Sequence, residues 1–378
     1  MSTLTRLSVD ARNLLSYRNG IGRTILETCH TAAQRDTKIT LYWPQKPKII
    51  PKEIHEAENR YWDKGGGINR VLWSGTSLPR SVNKTGPDIF WGPAHRVPIG
   101  LNRSIPCVVT IHDLVWAKHP QTMRRLGWLA DRILAPHAMR RADVIVAVSK
   151  STRDDILERY PQFTEKVHVI YPGVSVTTDI KTNKGGEYQR DGDYALFVGT
   201  IEPRKNLQSL LKAIAISRAA GHLAGRLLIA GGKGWRHAEL GDLIDRYNLA
   251  DCVQALGYVS DAELARLYKD ARFLAMPSLY EGFGLPIIEA GSYGVPALTS
   301  NVSSMPEVAG KAGLLVDPHD PHDIARGWQR LWNDDALHAE LSSHARENAA
   351  RFSWSKTADE MLSLFQDVID RHRQANSS

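Results

Sequence analysis

Residues 277–307 read PSLYEGFGLPIIEAGSYGVPALTSNVSSMPE, and within them two carboxylates, Glu281 and Glu289, flank Gly282-Phe283-Gly284-Leu285-Pro286. The glycines let the backbone come close to a ligand and take dihedrals closed to other residues. Pro286 suits the first position of a short helix, where the N–H it lacks would have had no partner. The amides of Phe283, Gly284 and Leu285 are then expected to be free at the positive end of that helix, an arrangement that binds anions. Glu281 would repel a phosphate there unless it faced sugar hydroxyls, so the loop reads as a site for a sugar phosphate. A Gly-x-Gly before a helix is by itself more often a plain turn, and Glu289 alone could be a solvated helix residue.

On either side of this stretch, apolar runs of strand length alternate with helical periods, the pattern of parallel α/β sheets. The expected strands are 7–9, 38–42, 89–91, 107–111, 144–148 and 167–170, then 194–198, 226–230, 253–256, 273–276, 297–299 and 313–316. Between the two sets, residues 175–193 (SVTTDIKTNKGGEYQRDGD) are polar and glycine-bearing with no apolar period, and read as an interdomain linker. A chain of 378 residues suits two domains. The expectation is an α/β protein of two Rossmann-like domains facing a central cleft, residues 1–174 and 194–354.

With 42% hydrophobic and 24% charged residues the composition is globular. No run of about 18 apolar residues could span a bilayer, and the start, MSTLTRLSVDARNLL, lacks the apolar core of a secretory signal. Cys29, Cys107 and Cys252 are too scattered for a disulfide framework or a zinc site. A cytoplasmic protein is the simplest expectation. Residues 1–190 hold 29 Lys+Arg against 17 Asp+Glu, or +12, which leaves −5 for residues 191–378 out of the total of +7. If that half carries a binding site, its partner should be anionic, either a lipid diphosphate or the negatively charged inner leaflet of a membrane. The surface that fits is QTMRRLGWLADRILAPHAMRR at 121–141, in which arginines mix with Leu126, Trp128, Leu129, Ile133 and Leu134. It reads equally as an interfacial helix or as a core helix with a basic solvent face, and Pro136 is expected to break it. Nucleic acid is not expected, because the basic half lacks the interleaved stacking aromatics of a recognised module.

Two further motifs carry chemistry. FVGTIEPRKNLQSLLKAI at 197–214 places Gly199 and Thr200 after a strand and Arg204 and Lys205 before a helix, where a diphosphate lies in such folds. VVTIHDLVWAKHP at 108–120 puts His112 at the C-terminal end of a strand, the edge where open α/β sheets gather ligands. Asn19-Gly20-Ile21-Gly22-Arg23 follows a strand and opens a helix, which is weak evidence alone. Asp191-Gly192-Asp193, the one Asp-x-Asp, sits in the linker before a strand and reads as a turn rather than as a metal site.

Taken together, the 277–307 string, GTIEPRKN at 199–206, VSKST at 148–152, YPGV at 171–174, IAGG at 229–232 and LGYVSDAEL at 256–264 resemble the retaining GT-B glycosyltransferases of the family 4 type. The resemblance covers nearly the whole chain and is strongest over 194–317. It implies that the final helix, near 355–378, crosses back to the N-terminal domain. It also implies that Lys205 is a phosphate ligand and that His112 lies close to the donor sugar. Gly20 and Gly22 match the glycine loop beside the donor phosphate, Tyr258 stands on the side of the base, and Glu289 would accept from the ribose hydroxyls. Many members carry arginine directly after the glycine; Thr200 stands here, so Arg204 is expected to supply the second positive charge. The donor would be a nucleotide sugar with no metal and no other cofactor, and the acceptor a lipid-linked oligosaccharide or glycan. The wording of GTIEPRKN looks like mannosyl or deoxyhexosyl transferases of bacterial surface polysaccharide assembly, favouring GDP-mannose or a GDP-deoxyhexose. A UDP-sugar donor, a nucleotide-sugar epimerase or hydrolase of the same fold, and a basic membrane-binding protein are the other readings.

Overall fold

The computed structural model describes residues 5–16, 20–62, 72–174, 194–222, 225–232 and 238–377. The expected linker, with Asp191-Gly192-Asp193, lies outside the described residues. The chain forms two compact units, Met1–Gly173 with Ser353–Ser378, and Val174–Phe352.

The first unit holds β1 (Arg6–Asp10), β2 (Lys38–Trp43), β3 (Glu58–Tyr61), β4 (Ile89–Gly92), β5 (Cys107–Ile111), β6 (Val144–Ala147) and β7 (Val167–Val169). They form one parallel sheet in the order β3-β2-β1-β4-β5-β6-β7. The second unit holds β8 (Tyr194–Val198), β9 (Arg226–Ala230), β10 (Val253–Gly257), β11 (Phe273–Met276), β12 (Ala297–Ser300) and β13 (Gly313–Val316). Its parallel order is β10-β9-β8-β11-β12-β13. Central strands such as β5 and β11 are buried at every residue, as helices on both faces of a parallel sheet require.

One strand escapes the apolar pattern. β3, sequence ENRY, has no apolar run, and it forms because β2 offers an open edge to which Glu58–Tyr61 pair from Thr40 to Trp43. An edge strand can be polar because only one neighbour and one packed face constrain it.

On one face of the first sheet, the Gly20–Ala33 helix and the C-terminal Trp354–Ser377 helix bury Ile25, Leu26, Met361, Phe365 and Val368 against Leu7, Val9 and Leu41. The last helix therefore completes the core of the unit that begins the chain. In the second unit Phe273 meets the edge of Trp328 at 5.2 Å, centring the core beneath β11. The three cysteines are free and buried.

Pro136 does not break its helix, contrary to expectation: the helix runs from Arg125 to Arg141 without interruption. Proline there forfeits one backbone hydrogen bond. Burial of Ala135, Pro136, Ala138 and Met139 holds the turn in place, so packing overrides the local preference.

Candidate functional site

In each sheet the strand order reverses once, between β1 and β4 and between β8 and β11. Loops leaving the two strands at such a point diverge to opposite faces and leave a crevice at the carboxyl ends, where ligands bind.

At the β8/β11 reversal, the loop after β8 carries Gly199, Thr200, Arg204 and Lys205, and the loop after β11 carries Glu281. Adjacency of these strands brings together side chains far apart in sequence. Glu281 Oε2 accepts from Arg204 Nη1 at 2.6 Å, and Glu281 Oε1 meets Lys205 Nζ at 2.7 Å. Arg204 also donates through Nη1 to the Tyr280 carbonyl and through Nη2 to Glu202, both at 2.6 Å. Glu281 and Lys205 are 6% and 9% exposed, so this is a buried ion cluster rather than a solvated pair. Burial alone would push the Glu281 pKa up; the Arg204 and Lys205 charges outweigh it and hold the carboxyl at about 2. The group is thus ionised at any physiological pH.

The loops are fixed by their own bonds. Leu279 N–H donates to the Arg204 carbonyl at 2.9 Å, and Asn206, in left-handed conformation with φ 59°, donates from its side chain to the carbonyls of Pro277 and Pro318. Ser304 Oγ donates to the carbonyls of Glu281 and Phe283, and Ser303 Oγ to that of Glu281. Gly231, after β9, passes so close to β8 that a Cβ would sit 1.9 Å from the Gly199 carbonyl oxygen; only glycine permits it.

Gly284 stands in left-handed conformation with φ 105° and caps a helix, Leu285–Ser292. The helix begins one residue earlier than expected, with Leu285 first and Pro286 second. Neither the first N–H of a helix nor a proline has an intrahelical bond to make, so the anion-facing character of this end is retained. Gly282 is buried, and the Phe283 ring turns into the core, edge-on to Phe352 at 5.3 Å. Glu289 is half-buried on the same helix, where its Oε2 accepts from Tyr268 Oη at 2.8 Å; Tyr268 in turn stacks on Tyr293. Thr200 is exposed, and Tyr258, after left-handed Gly257, is 65% exposed.

In the first unit, His112 sits at the carboxyl end of β5 with Nε2 2.7 Å from the Pro93 carbonyl. A carbonyl only accepts, so Nε2 carries the proton and Nδ1 is left with its lone pair. Burial, helped by His95 at 5.6 Å between ring centroids, lowers the His112 pKa to about 4, so the imidazole is neutral near pH 7. His95 itself stands in left-handed conformation with φ 58°. Gly20 opens the Gly20–Ala33 helix and Gly22 is buried within it; residues 17–19 before them lie outside the described residues.

Arg204, Lys205, Gly199, Thr200 and Glu281 are thus brought to one reversal point, with Gly282–Leu285 continuing directly from Glu281. His112, Gly20 and Gly22 belong to the other unit. Sequence reasoning missed Tyr268, Asn206, Ser303 and His95. Of these only His95 had a usable signal, lying just past the carboxyl end of a strand as His112 does. Among the described residues, no group of three His, Cys, Asp or Glu is placed to hold a metal ion.

Comparison with known proteins bears on this arrangement. Residues 180–373 match the family described as Glycosyl transferases group 1, and residues 18–178 match Glycosyltransferase Family 4. The chain is 31% identical over 288 residues to the O-antigen chain mannosyltransferase B of Escherichia coli, covering 74% of each. It is 28% identical over 246 residues to the serotype-specific mannosyltransferase WbdA of the same organism, covering 63% of this chain and only 30% of that one. Among solved structures, sucrose-phosphate synthase from Thermosynechococcus elongatus superposes with a TM-score of 0.78 at 19% identity, covering 97% of this chain and 100% of that one.

Proposed function

The chain belongs to the group 1 glycosyl transferases with a family 4 N-terminal region, a hexosyltransferase of GT-B fold, and we propose that it moves mannose from GDP-mannose, or a deoxyhexose from its GDP derivative, onto a lipid-linked or polysaccharide acceptor. The proposal extends to retention at the anomeric carbon, independence of metal, and work at the cytoplasmic face of a bacterial inner membrane in surface glycan synthesis. Mannosyl transfer is supported by the names of the two E. coli relatives.

The observation that carries the reading is the buried Arg204–Glu281–Lys205 cluster at the β8/β11 reversal. When the bond from the anomeric carbon to phosphate breaks, negative charge grows on the leaving diphosphate. Fixed cations in a water-poor site stabilise that charge without reorganising. Lys205, Arg204 and the start of the Leu285–Ser292 helix are suited to the task. Glu281 keeps both cations charged and oriented, and its oxygens have lone pairs to spare for sugar hydroxyls. The new bond forms between the acceptor oxygen and the same face of the anomeric carbon, with the acceptor proton passing to the departing diphosphate. Glu289, steadied by Tyr268, would take the ribose hydroxyls. His112, neutral with an accepting Nδ1, would bind a sugar hydroxyl.

Thermal unfolding in the presence of GDP-sugars and UDP-sugars tests the donor, because a ligand bound only by the folded form raises the melting temperature. GDP-mannose or a GDP-deoxyhexose is expected to stabilise; stabilisation by UDP-sugars alone would overturn the base assignment. Activity retained in excess chelator and an unchanged anomeric configuration in the product are the companion expectations.

A further inference from the structure

The first strands of the first sheet alternate in polarity, where a parallel sheet covered on both faces normally runs apolar throughout. In β1 (RLSVD) and β2 (KITLYW), Leu7, Val9, Ile39 and Leu41 belong to the core that holds the Gly20–Ala33 and Trp354–Ser377 helices. Successive side chains of a strand point to opposite faces, and the register sets Arg6 beside Lys38, Ser8 beside Thr40 and Thr40 beside Glu58. The other face therefore carries a polar strip across three strands. Towards the carboxyl ends that face is covered, with Tyr42 in a core that includes Leu78 and Val82 of the Leu78–Thr85 helix. At the amino ends the helix stops, capped by left-handed Gly86, and a recess of about 330 Å³ is left between Thr85 and the strip. Its volume falls within the range of small-molecule pockets.

The recess combines buried hydroxyls with a surplus of cations. Ser8 and Thr40 are 2% and 8% exposed. Their hydroxyls make only long bonds, 3.4 Å to Tyr42 Oη and 3.3 Å to Glu58 Oε2, where an O–H···O bond normally measures under about 3.0 Å. Arg6, Lys38, Arg60 and Lys84 line the recess with a single carboxylate, Glu58. Arg60 pairs with Glu58, and Arg6 pairs with Asp88. Among the described residues, neither Lys38 nor Lys84 has a carboxylate partner. Two uncompensated ammonium groups and two loosely held hydroxyls thus share one cavity.

We propose that the recess is a second binding site, for a small soluble phosphomonoester that carries hydroxyls, a phosphorylated polyol or sugar. Such an ester bears close to two negative charges at neutral pH, which Lys38 and Lys84 match from two different elements. Ser8 and Thr40 are left to bond its oxygens. A phosphate on a lipid fits less well, because Pro87 is the one apolar residue of the lining and offers nothing to an acyl chain. The recess lies at the amino ends of β1, β2 and β3, whereas the ligands of the proposed reaction gather at the carboxyl ends of strands. The site is therefore separate from the one that carries the proposed function.

Isothermal titration calorimetry of the full chain at low salt, with glycerol phosphate, inorganic phosphate and glycerol as probes, tests it without any sugar donor. Saturable binding of glycerol phosphate is expected, with weaker binding of inorganic phosphate and none of glycerol. The combined variant Lys38→Gln, Lys84→Gln should bind glycerol phosphate roughly tenfold or more weakly, and Thr40→Val several-fold more weakly. Both should melt as the parent does and bind GDP and UDP as the parent does. No saturable binding of either anion at millimolar concentration overturns the site. So does glycerol phosphate binding that the double glutamine variant retains, or that GDP or UDP displaces, since the phosphate would then sit in the β8/β11 crevice. Equal affinity for the two anions overturns the assignment to a hydroxyl-bearing ester. Because the titration needs no turnover, a failed donor assay leaves this result standing, and the reverse holds too.

Discussion

The two sheets share a topology and differ in what they place at their carboxyl edges. At the β8/β11 reversal a buried carboxylate is clasped by two cations; at the carboxyl end of β5 a buried imidazole is kept neutral and bonded to a carbonyl. Parallel α/β architecture thus supplies a place but not a chemistry. Charge at the first edge suits a group that becomes more anionic as the reaction proceeds, and neutrality at the second suits hydroxyls, which need only hydrogen bonds.

The largest expected effect breaks the charged edge. Glu281→Ala leaves Arg204 and Lys205 buried without their shared partner, a kind of loss that costs about 3–5 kcal/mol of stability. It should also lower turnover by a factor of about a hundred or more, as should Lys205→Ala. Denaturant unfolding and initial rates measure the two effects, and near-normal activity in both variants would defeat the assignment. At the neutral edge, His112→Ala removes one hydrogen-bonding group and should cost roughly tenfold in turnover, the worth of about one such bond.

Acid sharpens the contrast. A buried imidazole with a folded pKa of about 4, against an ordinary 6.5, resists protonation that the unfolded chain accepts. Its contribution is full above pH 6.5 and is lost as pH falls towards 4. Glu281, at about 2 against an ordinary 4.5, contributes fully above 4.5 and loses its contribution as pH falls towards 2. Stability against pH should therefore slope first in the window of His112 and then in that of Glu281. His112→Phe should flatten the upper window, and Glu281→Gln the lower. The smallest effect belongs to Tyr268→Phe, which removes the bond to Glu289 and should weaken nucleotide binding several-fold, about 1 kcal/mol by calorimetry.

How far the sequence could be read depended on the range of the forces involved. Strands such as 107–111 and 273–276 were legible because burial on both faces writes a continuous apolar run into the chain. β3 was not, since an edge strand needs only a neighbour. Pro136 misled because local preference ignores what lies beneath the helix. The residue types at 204, 205, 281 and 289 stood out, yet the clasp between Arg204 and Glu281 spans 77 positions. It arises from the adjacency of β8 and β11, which no local pattern encodes. Tyr268 was invisible for the same reason, as an ordinary helix residue until the fold sets it against Glu289.

The Trp354–Ser377 helix completes the core of the unit that opens the chain. During synthesis on the ribosome, Leu7, Val9 and Leu41 emerge more than three hundred residues ahead of Met361, Phe365 and Val368, which will cover them. The intervening unit can mature while its elder neighbour is still open along one side. A nascent chain arrested before Trp354 should therefore display a greasy, chaperone-seeking flank that the finished protein hides.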